Sequence, residues 1–305
     1  QIALFYMSRP AEAVLNTLPR ANALLMNGFT TIRNVGDPTY TTYALRDAIN
    51  KGIVPGPRMF VAEAQISVAG GDFDASSWDV RSDVEKFVTN RGNCSGVVEC
   101  IKVVREEVHR GADVVKFRQA GLPAEDPKVA MVESPEEIKA VIDTAHQLNR
   151  KVAAHVDGTP VYLHAVIEAG ADTIEHGPLD DVVLAGKLID YRFQEGLEAV
   201  GKAYRAGVPI IFGTDLGIFG PERSHEEFAL LASAGMPPAQ VLRSATVNAA
   251  AALGGLGEGL GCIAPGKTAD VIAMKVDPLT HIDQLGEPGK VSFVMKEGKV
   301  FKDER

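Results

Sequence analysis

The chain has 305 residues, enough for one large domain with a full core or for a barrel with a small appendage. Hydrophobic residues make up 46% and charged residues 23%, and the formal charge of −9 is spread over interspersed acids and bases. This is ordinary globular composition, without the basic face that nucleic acid requires or the polybasic run that an anionic membrane attracts. No apolar stretch approaches the ~20 residues of a membrane span, so neither nucleic acid nor membrane is an expected partner.

Three cysteines, Cys94, Cys100 and Cys262, form an odd count without zinc-ribbon spacing. That count speaks against a disulfide framework and mildly for a reducing, cytoplasmic location. A Cys94–Cys100 pair stays open for an oxidising compartment. The chain opens at Gln1 with neither Met nor a signal-like stretch, so its natural N-terminus is expected to lie upstream.

Short apolar runs alternate with amphipathic ones. Phe29–Val35 is β-branched and ends at Gly36-Asp37, and Arg58–Ser67 stops before Gly70-Gly71. Asp113–Phe117, Lys151–Val156, Asp172–His176 and Pro209–Asp215 follow. Each reads as a short strand buried on both faces, the mark of a parallel sheet. Between them Ser134-Pro135-Glu136-Glu137 is a capping-box helix start, Thr159–Ala169 runs helically to Gly170, and Gly111 closes the helix before DVVKF. After a helical stretch, Pro238–Leu253, the character changes to strand-like runs, TADVIAMKVDPLTHID and VSFVMKEGKVFK, with a Lys-Glu-Gly hairpin turn. The expected organisation is an α/β barrel over residues 1–260 and a small β-rich domain over residues 261–305.

Four polar residues stand at or near strand ends: Lys116, His155, His176 and Asp215. Strand ends at the C-terminal face of an α/β barrel converge on one cleft. Two imidazoles and a carboxylate suit zinc or a similar divalent ion, and a carboxylate beside a metal-bound water can act as general base. Singly, each has a plain structural reading, such as a helix cap for Asp215 or a snorkelling stem for Lys116. Their occurrence in strand order favours function. His109, His146 and His164 lie in helical stretches, His281 lies in the appendage, and His225 follows Asp215 in a loop.

With these residues the chain resembles the amidohydrolase superfamily, in its imidazolonepropionase-like branch of zinc-dependent dipeptidases and carboxypeptidases. The matching stretches are GFTTIRNVG, GADVVKF, KVAAHVDG, ADTIEHG and FGTDLG, with SATVNAAAALG, GCIAPGKTADVIAM and VSFVMKEGKVFK in the tail. The resemblance implies a TIM (β/α)8-type barrel and two zinc ions per chain. It implies that Lys116 is carboxylated and bridges the metals, that His155 and His176 ligate one, and that Asp215 ligates the other and takes the proton of the bridging hydroxide. It further implies hydrolysis of an amide bond in a small or short peptide substrate, such as Xaa-Pro or a C-terminal residue, and a homo-oligomer. A lactone, cyclic amide or phosphotriester hydrolase on the same site is the first rival, and a catalytically degenerate barrel the second.

The pattern is incomplete in three places. No His-X-His pair stands at a first strand, Gly70-Gly71 is followed by Asp72-Phe73-Asp74 where the family has histidine, and YRFQEGLEAVGKAYRAG follows LDDVVLAGKLID without a seventh strand. A barrel short of two strands does not close. Segments absent from this sequence are the expected cause, rather than losses in a degenerate homologue.

Overall fold

A computed structural model describes residues 9–37, 40–71, 91–118, 131–156, 160–176, 188–215 and 220–304. Asp72-Phe73-Asp74 and most of LDDVVLAGKLID lie outside the described residues. The chain divides into two compact units: Gln1–Val14, Arg33–Arg46 and Phe60–Arg192 form the first; Leu15–Ile32, Asp47–Met59 and Phe193–Arg305 form the second.

In chain order the elements are α1 (Pro10–Met26), β1 (Thr31–Val35), α2 (Thr42–Asn50), β2 (Arg58–Ala62), β3 (Gln65–Val68), β4 (Asn93–Cys94), α3 (Val97–Arg110), β5 (Val114–Arg118), α4 (Pro135–Gln147), β6 (Lys151–His155), α5 (Pro160–Ala169) and β7 (Thr173–Glu175). Then come α6 (Leu188–Arg205), α7 (Glu226–Ser233), α8 (Pro238–Ser244), α9 (Val247–Ala252), β8 (Val271–Met274), β9 (Val291–Lys296) and β10 (Lys299–Asp303). The expected Arg58–Ser67 strand is broken at Glu63-Ala64, and the expected Pro238–Leu253 helix is divided at Ala245-Thr246.

The first unit centres on a five-stranded sheet in the order β4-β3-β5-β6-β7, every pairing parallel. Parallel strands need crossovers, and helices α3, α4 and α5 supply them. Their ends are set locally. Ser134 Oγ accepts from Glu137 N while Glu137 Oε2 accepts from Ser134 N, the anticipated capping box with Pro135 behind it. Gly111, at φ 116°, turns the chain out of α3 into β5.

Alternation along the strands sorts side chains by face. Ile66, Val68, Val115, Phe117, Val152 and Ala154 join Val103 and Val104 of α3, Ile138, Val141 and Ile142 of α4, and Tyr162 and Val166 of α5 in the main core. Burial of such residues stabilises by about 1.5–3 kcal/mol for each large side chain. On the opposite face Val114, Ala153 and Ala62 make a small apolar layer with Val35. Farther along the strands that face becomes polar.

Cys94 and Cys100 form a disulfide joining β4 to α3, and both are buried in the main core. The odd cysteine count therefore misleads: the local pairing left open by the sequence is made, Cys262 stays exposed, and the preference for a reducing compartment is not supported.

The second unit holds a three-stranded antiparallel sheet, order β10-β9-β8. Glu297 and Gly298 turn the β9–β10 hairpin with φ of 54° and 76°, the left-handed pair that a tight hairpin needs. Arg58 clamps this end through Asp270 at 2.6 Å and Glu297 at 2.8 Å. Elsewhere in the unit Phe212 stacks on Phe228 with ring centroids 4.2 Å apart, and Phe29 joins them. Among the described residues, no helix is long and apolar enough to cross a membrane.

Candidate active site

Strand register assembles the polar face. Gln65, Lys116, Ala153 and Thr173 form one row across β3, β5, β6 and β7, and Arg118, His155 and Glu175 form the next. In parallel strands register partners point the same way, so a charged band lies just beyond the apolar layer of Val114 and Ala153. Lys116 and His155 are 3% and 4% exposed, well below the ordinary exposure of either type.

The next contact crosses the interior. Arg33 of β1 places Nη2 2.6 Å from Glu175 Oε1 and Nη1 3.0 Å from Thr173 Oγ1, and the threonine hydroxyl donates to the same carboxylate oxygen at 2.6 Å. Burial pushes the Glu175 carboxyl up, but the Arg33 charge, the Thr173 hydroxyl and the Lys116 charge outweigh it and hold the group below the usual carboxylate range. Gly36 follows β1 at φ 140°, and a Cβ there would lie 2.5 Å from Nε2 of the Gln65 side chain. Glycine thus lets Gln65 lie against the backbone in the same row as Lys116.

His155 closes β6, and His176 follows directly on β7. His176 takes φ 69°, a left-handed backbone that costs a non-glycine residue about 1 kcal/mol and is concentrated at functional sites. It carries the His176 ring to 4.3 Å from the His155 ring, centroid to centroid, at 57°. Arg118 Nη1 stands 3.1 Å from His155 Nδ1. A guanidinium only donates, so Nδ1 is the acceptor here and the ring proton belongs on Nε2.

Asp215 is part of the second unit, exposed, with φ 44°. The expected strand Pro209–Asp215 does not form. A strand exists only where a neighbour completes its ladder, and among the described residues none does. Phe212 N instead donates to Ser244 O at 3.1 Å. Of the four residues expected at one cleft, the structure gathers Lys116, His155 and His176 in the first unit and describes Asp215 in the second. Arg118 and the Arg33–Glu175 pair are additions that sequence reading missed. Their signal was parity, because Arg118 stands two residues from Lys116 on the same strand face.

Among the described residues, no three His, Cys, Asp or Glu side chains converge closely enough to hold a metal ion. What converges is a pair of imidazoles beside a buried lysine. Their donor chemistry fits half of a zinc-type shell, and two carbamate oxygens on Lys116 would extend it.

The amidohydrolase family model matches residues 8–301. Ochratoxinase of Aspergillus niger is 30% identical over 324 residues, covering 91% of this chain and 66% of that protein. The chain thus spans just under two thirds of this relative's length. The aligned span also exceeds the 305 residues of the chain, so the relative carries internal segments that this chain lacks. Among solved structures, a Xaa-Pro dipeptidase with bound methionine in the active site is 28% identical, with a TM-score of 0.80 and coverage of 97% of this chain and 80% of that one. A prolidase complexed with N-methylphosphonate-L-proline is 26% identical, with a TM-score of 0.82 over 98% and 82%. By its sequence from residue 8 to residue 301, this chain belongs to the amidohydrolase family.

Proposed function

We propose that the chain is the main part of a metal-dependent hydrolase that cleaves an amide bond in a small or short-peptide substrate. Its architecture is a TIM-type barrel over residues 1–260 with a small β domain over residues 261–305. The carrying observation is the approach of the His155 and His176 rings to 4.3 Å beside the buried Lys116. The relatives named as ochratoxinase, Xaa-Pro dipeptidase and prolidase support amide-type substrates.

His155 and His176 would hold one divalent ion, zinc being the expected one of two per chain. Lys116, carboxylated, would be a further, anionic ligand, since an ammonium offers no lone pair to a metal. Asp215 would be the remaining ligand. When bound, the ions supply a nucleophilic hydroxide and polarise the amide carbonyl. Asp215 would accept the proton of the attacking water and pass it to the leaving amine. Arg33 and Glu175 act beneath them by fixing the interior on which Lys116 and His155 stand.

A lactone, cyclic amide or phosphotriester hydrolase on the same residues is an alternative outcome of a substrate panel. A non-catalytic barrel is the second reading, favoured by the guanidinium that already faces His155 Nδ1. Metal content decides between them. Full-length protein purified without chelator is expected to hold about two zinc ions per chain, as two-metal sites do, and to lose N-acyl amino acid hydrolysis on chelation. Absence of both metal and chelator-sensitive activity, with zinc and bicarbonate supplied, leaves the non-catalytic barrel.

A further inference from the structure

At the Glu63-Ala64 break the sheet also changes neighbours. Before it β2 pairs with β1, and after it β3 pairs with β4 and β5. Glu63, only 4% exposed, fills the junction. Its Oε1 accepts from Tyr43 N, in the first turn of α2, at 3.0 Å, and its Oε2 accepts from Arg91 Nη2 at 3.1 Å. Arg91 is tied twice more. Its amide donates to the Tyr40 hydroxyl at 2.9 Å, and its guanidinium lies 3.6 Å from the centre of the Tyr40 ring. These contacts fasten the chain just ahead of β4, which has only two residues, fewer than an ordinary strand. It meets β3 through Ser67 N to Gly92 O at 3.2 Å and Ala69 N to Cys94 O at 3.3 Å. On its far side the amides of Ser95 and Gly96 donate to Glu99 and Glu137 at 2.8 and 2.7 Å.

We infer that Arg91 is the clasp of a gate over the Cys94–Cys100 disulfide: held by Glu63 and Tyr40 it keeps β4 on the sheet and the sulfurs covered, and a proton on Glu63 releases it. Nothing in this depends on hydrolysis. Cys94 belongs to β4 and is 2% exposed, so lifting β4 from β3 is a local opening that uncovers the bond without unfolding the sheet. The clasp is charge-assisted, and a neutral carboxyl weakens it. Around Glu63 stand Asp37 beyond β1, Glu107 and Arg110 of α3, and the hydroxyls of Tyr40 and Tyr43. Arg110 is engaged by Glu107 at 2.6 Å, and the Tyr43 hydroxyl lies 3.4 Å from Glu107 Oε2. Burial, helped by the charges of Asp37 and Glu107, raises the Glu63 carboxyl above its ordinary value although the Tyr43 amide and Arg91 oppose it. Protonation therefore arrives in milder acid than on a solvated glutamate, and the gate opens as pH falls.

Reduction by a water-soluble trialkylphosphine reads the gate. The phosphorus is oxidised to the phosphine oxide with an oxygen from water, and the disulfide is reduced to two thiols. Rates would be measured on full-length protein, on Glu63→Gln and on Arg91→Met, from neutral pH into mild acid but above the 4.5 of an ordinary glutamate. Each is divided by the rate of a short unstructured disulfide peptide at the same pH. The expected rise on acidification in the parent is roughly 3- to 10-fold, between an exposed pair and a buried charged hydrogen bond, because the Arg91 side chain is 40% exposed. Both variants should show the fast rate already at neutral pH, with no further rise. A rise kept by Glu63→Gln overturns the inference and moves the effect to Glu99 and Glu137. A parent rate that does not change with pH overturns it as well. Hydrogen exchange on the parent needs no variant: corrected for intrinsic rates, the Ser67 and Ala69 amides should lose protection in acid while those of β5 and β6 keep theirs. Equal loss throughout would mean general loosening and would also overturn the clasp. Thermal melts identify any variant that fails to fold.

Discussion

Glu175 and Glu227 are partly buried carboxylates in different units, and desolvation pushes both towards the neutral form. Glu175 on β7 meets Arg33, the Thr173 hydroxyl and the charge of Lys116, and ends below the usual range. Glu227, in the first turn of α7, is pushed up to about 7 from an ordinary 4.5, with burial as the sole cause. The same desolvation thus has opposite outcomes, decided by whether a cation and a donor are brought within hydrogen-bond reach. In the first unit a charge is retained by building a network around it. In the second, a carboxyl keeps its proton near neutral pH because nothing comparable surrounds it among the described residues.

Breaking the network should have the largest effect. Glu175→Gln leaves the Arg33 guanidinium, whose side chain is 17% exposed, without its ionic partner. The expected loss is about 3 kcal/mol in urea unfolding at pH 7, with Arg33→Met destabilising comparably and the double variant recovering part of the loss. Because the folded state lowers the Glu175 pKa, its contribution is present above 4.5 and is lost as pH falls below that value.

Glu227→Gln sharpens the contrast from the other side. A raised native pKa means the folded state binds more protons than the unfolded one between 4.5 and about 7, so stability falls as pH rises through that window. The glutamine variant should be more stable than the parent by roughly 2 kcal/mol at pH 8, allowing for residual solvent contact, and equal to it at pH 4. Thermal melts across that range check it, and an unchanged slope would refute the assignment.

Asp172 gives the smallest effect. It accepts from Lys151 at 2.7 Å, from the Val152 amide at 2.8 Å, and faces His146 at 2.8 Å. These partners hold it below its ordinary value although burial opposes them. Lys151 and His146 are about half exposed, so Asp172→Asn should cost only about 1 kcal/mol, and raised salt should shrink the difference.

The same contrast marks what the sequence disclosed. Strands β5, β6 and β7 were legible because runs such as DVVKF and KVAAH are too short and too apolar for anything but a doubly covered strand. The capping box of α4 and the β9–β10 hairpin were legible because their residues satisfy local backbone rules. Features that depend on a distant partner were not. Arg33 and Glu175 lie 142 residues apart, and each alone reads as a solvated charge on a strand. The segment before Asp215 has strand-like composition, but composition supplies no neighbouring ladder. Lys116, His155 and His176 stood out because polar residues closing apolar strands are rare. Arg118 escaped because a charge after Phe117 looks like the exit from a strand, although alternation already placed it on the face of Lys116.

The Cys94–Cys100 bond has a consequence for the order in which the protein is made. It closes a short ring, six residues in sequence separation, between sulfurs belonging to residues only 2% and 0% exposed. In the folded chain, oxidant and reductant therefore reach these sulfurs only when the apolar layer under α3 opens. Exchange with external thiols is expected to be slow, at a rate set by that opening. Two preparations of one sequence, folded with and without an oxidant, would be distinct and long-lived species, separable by mass under non-reducing conditions.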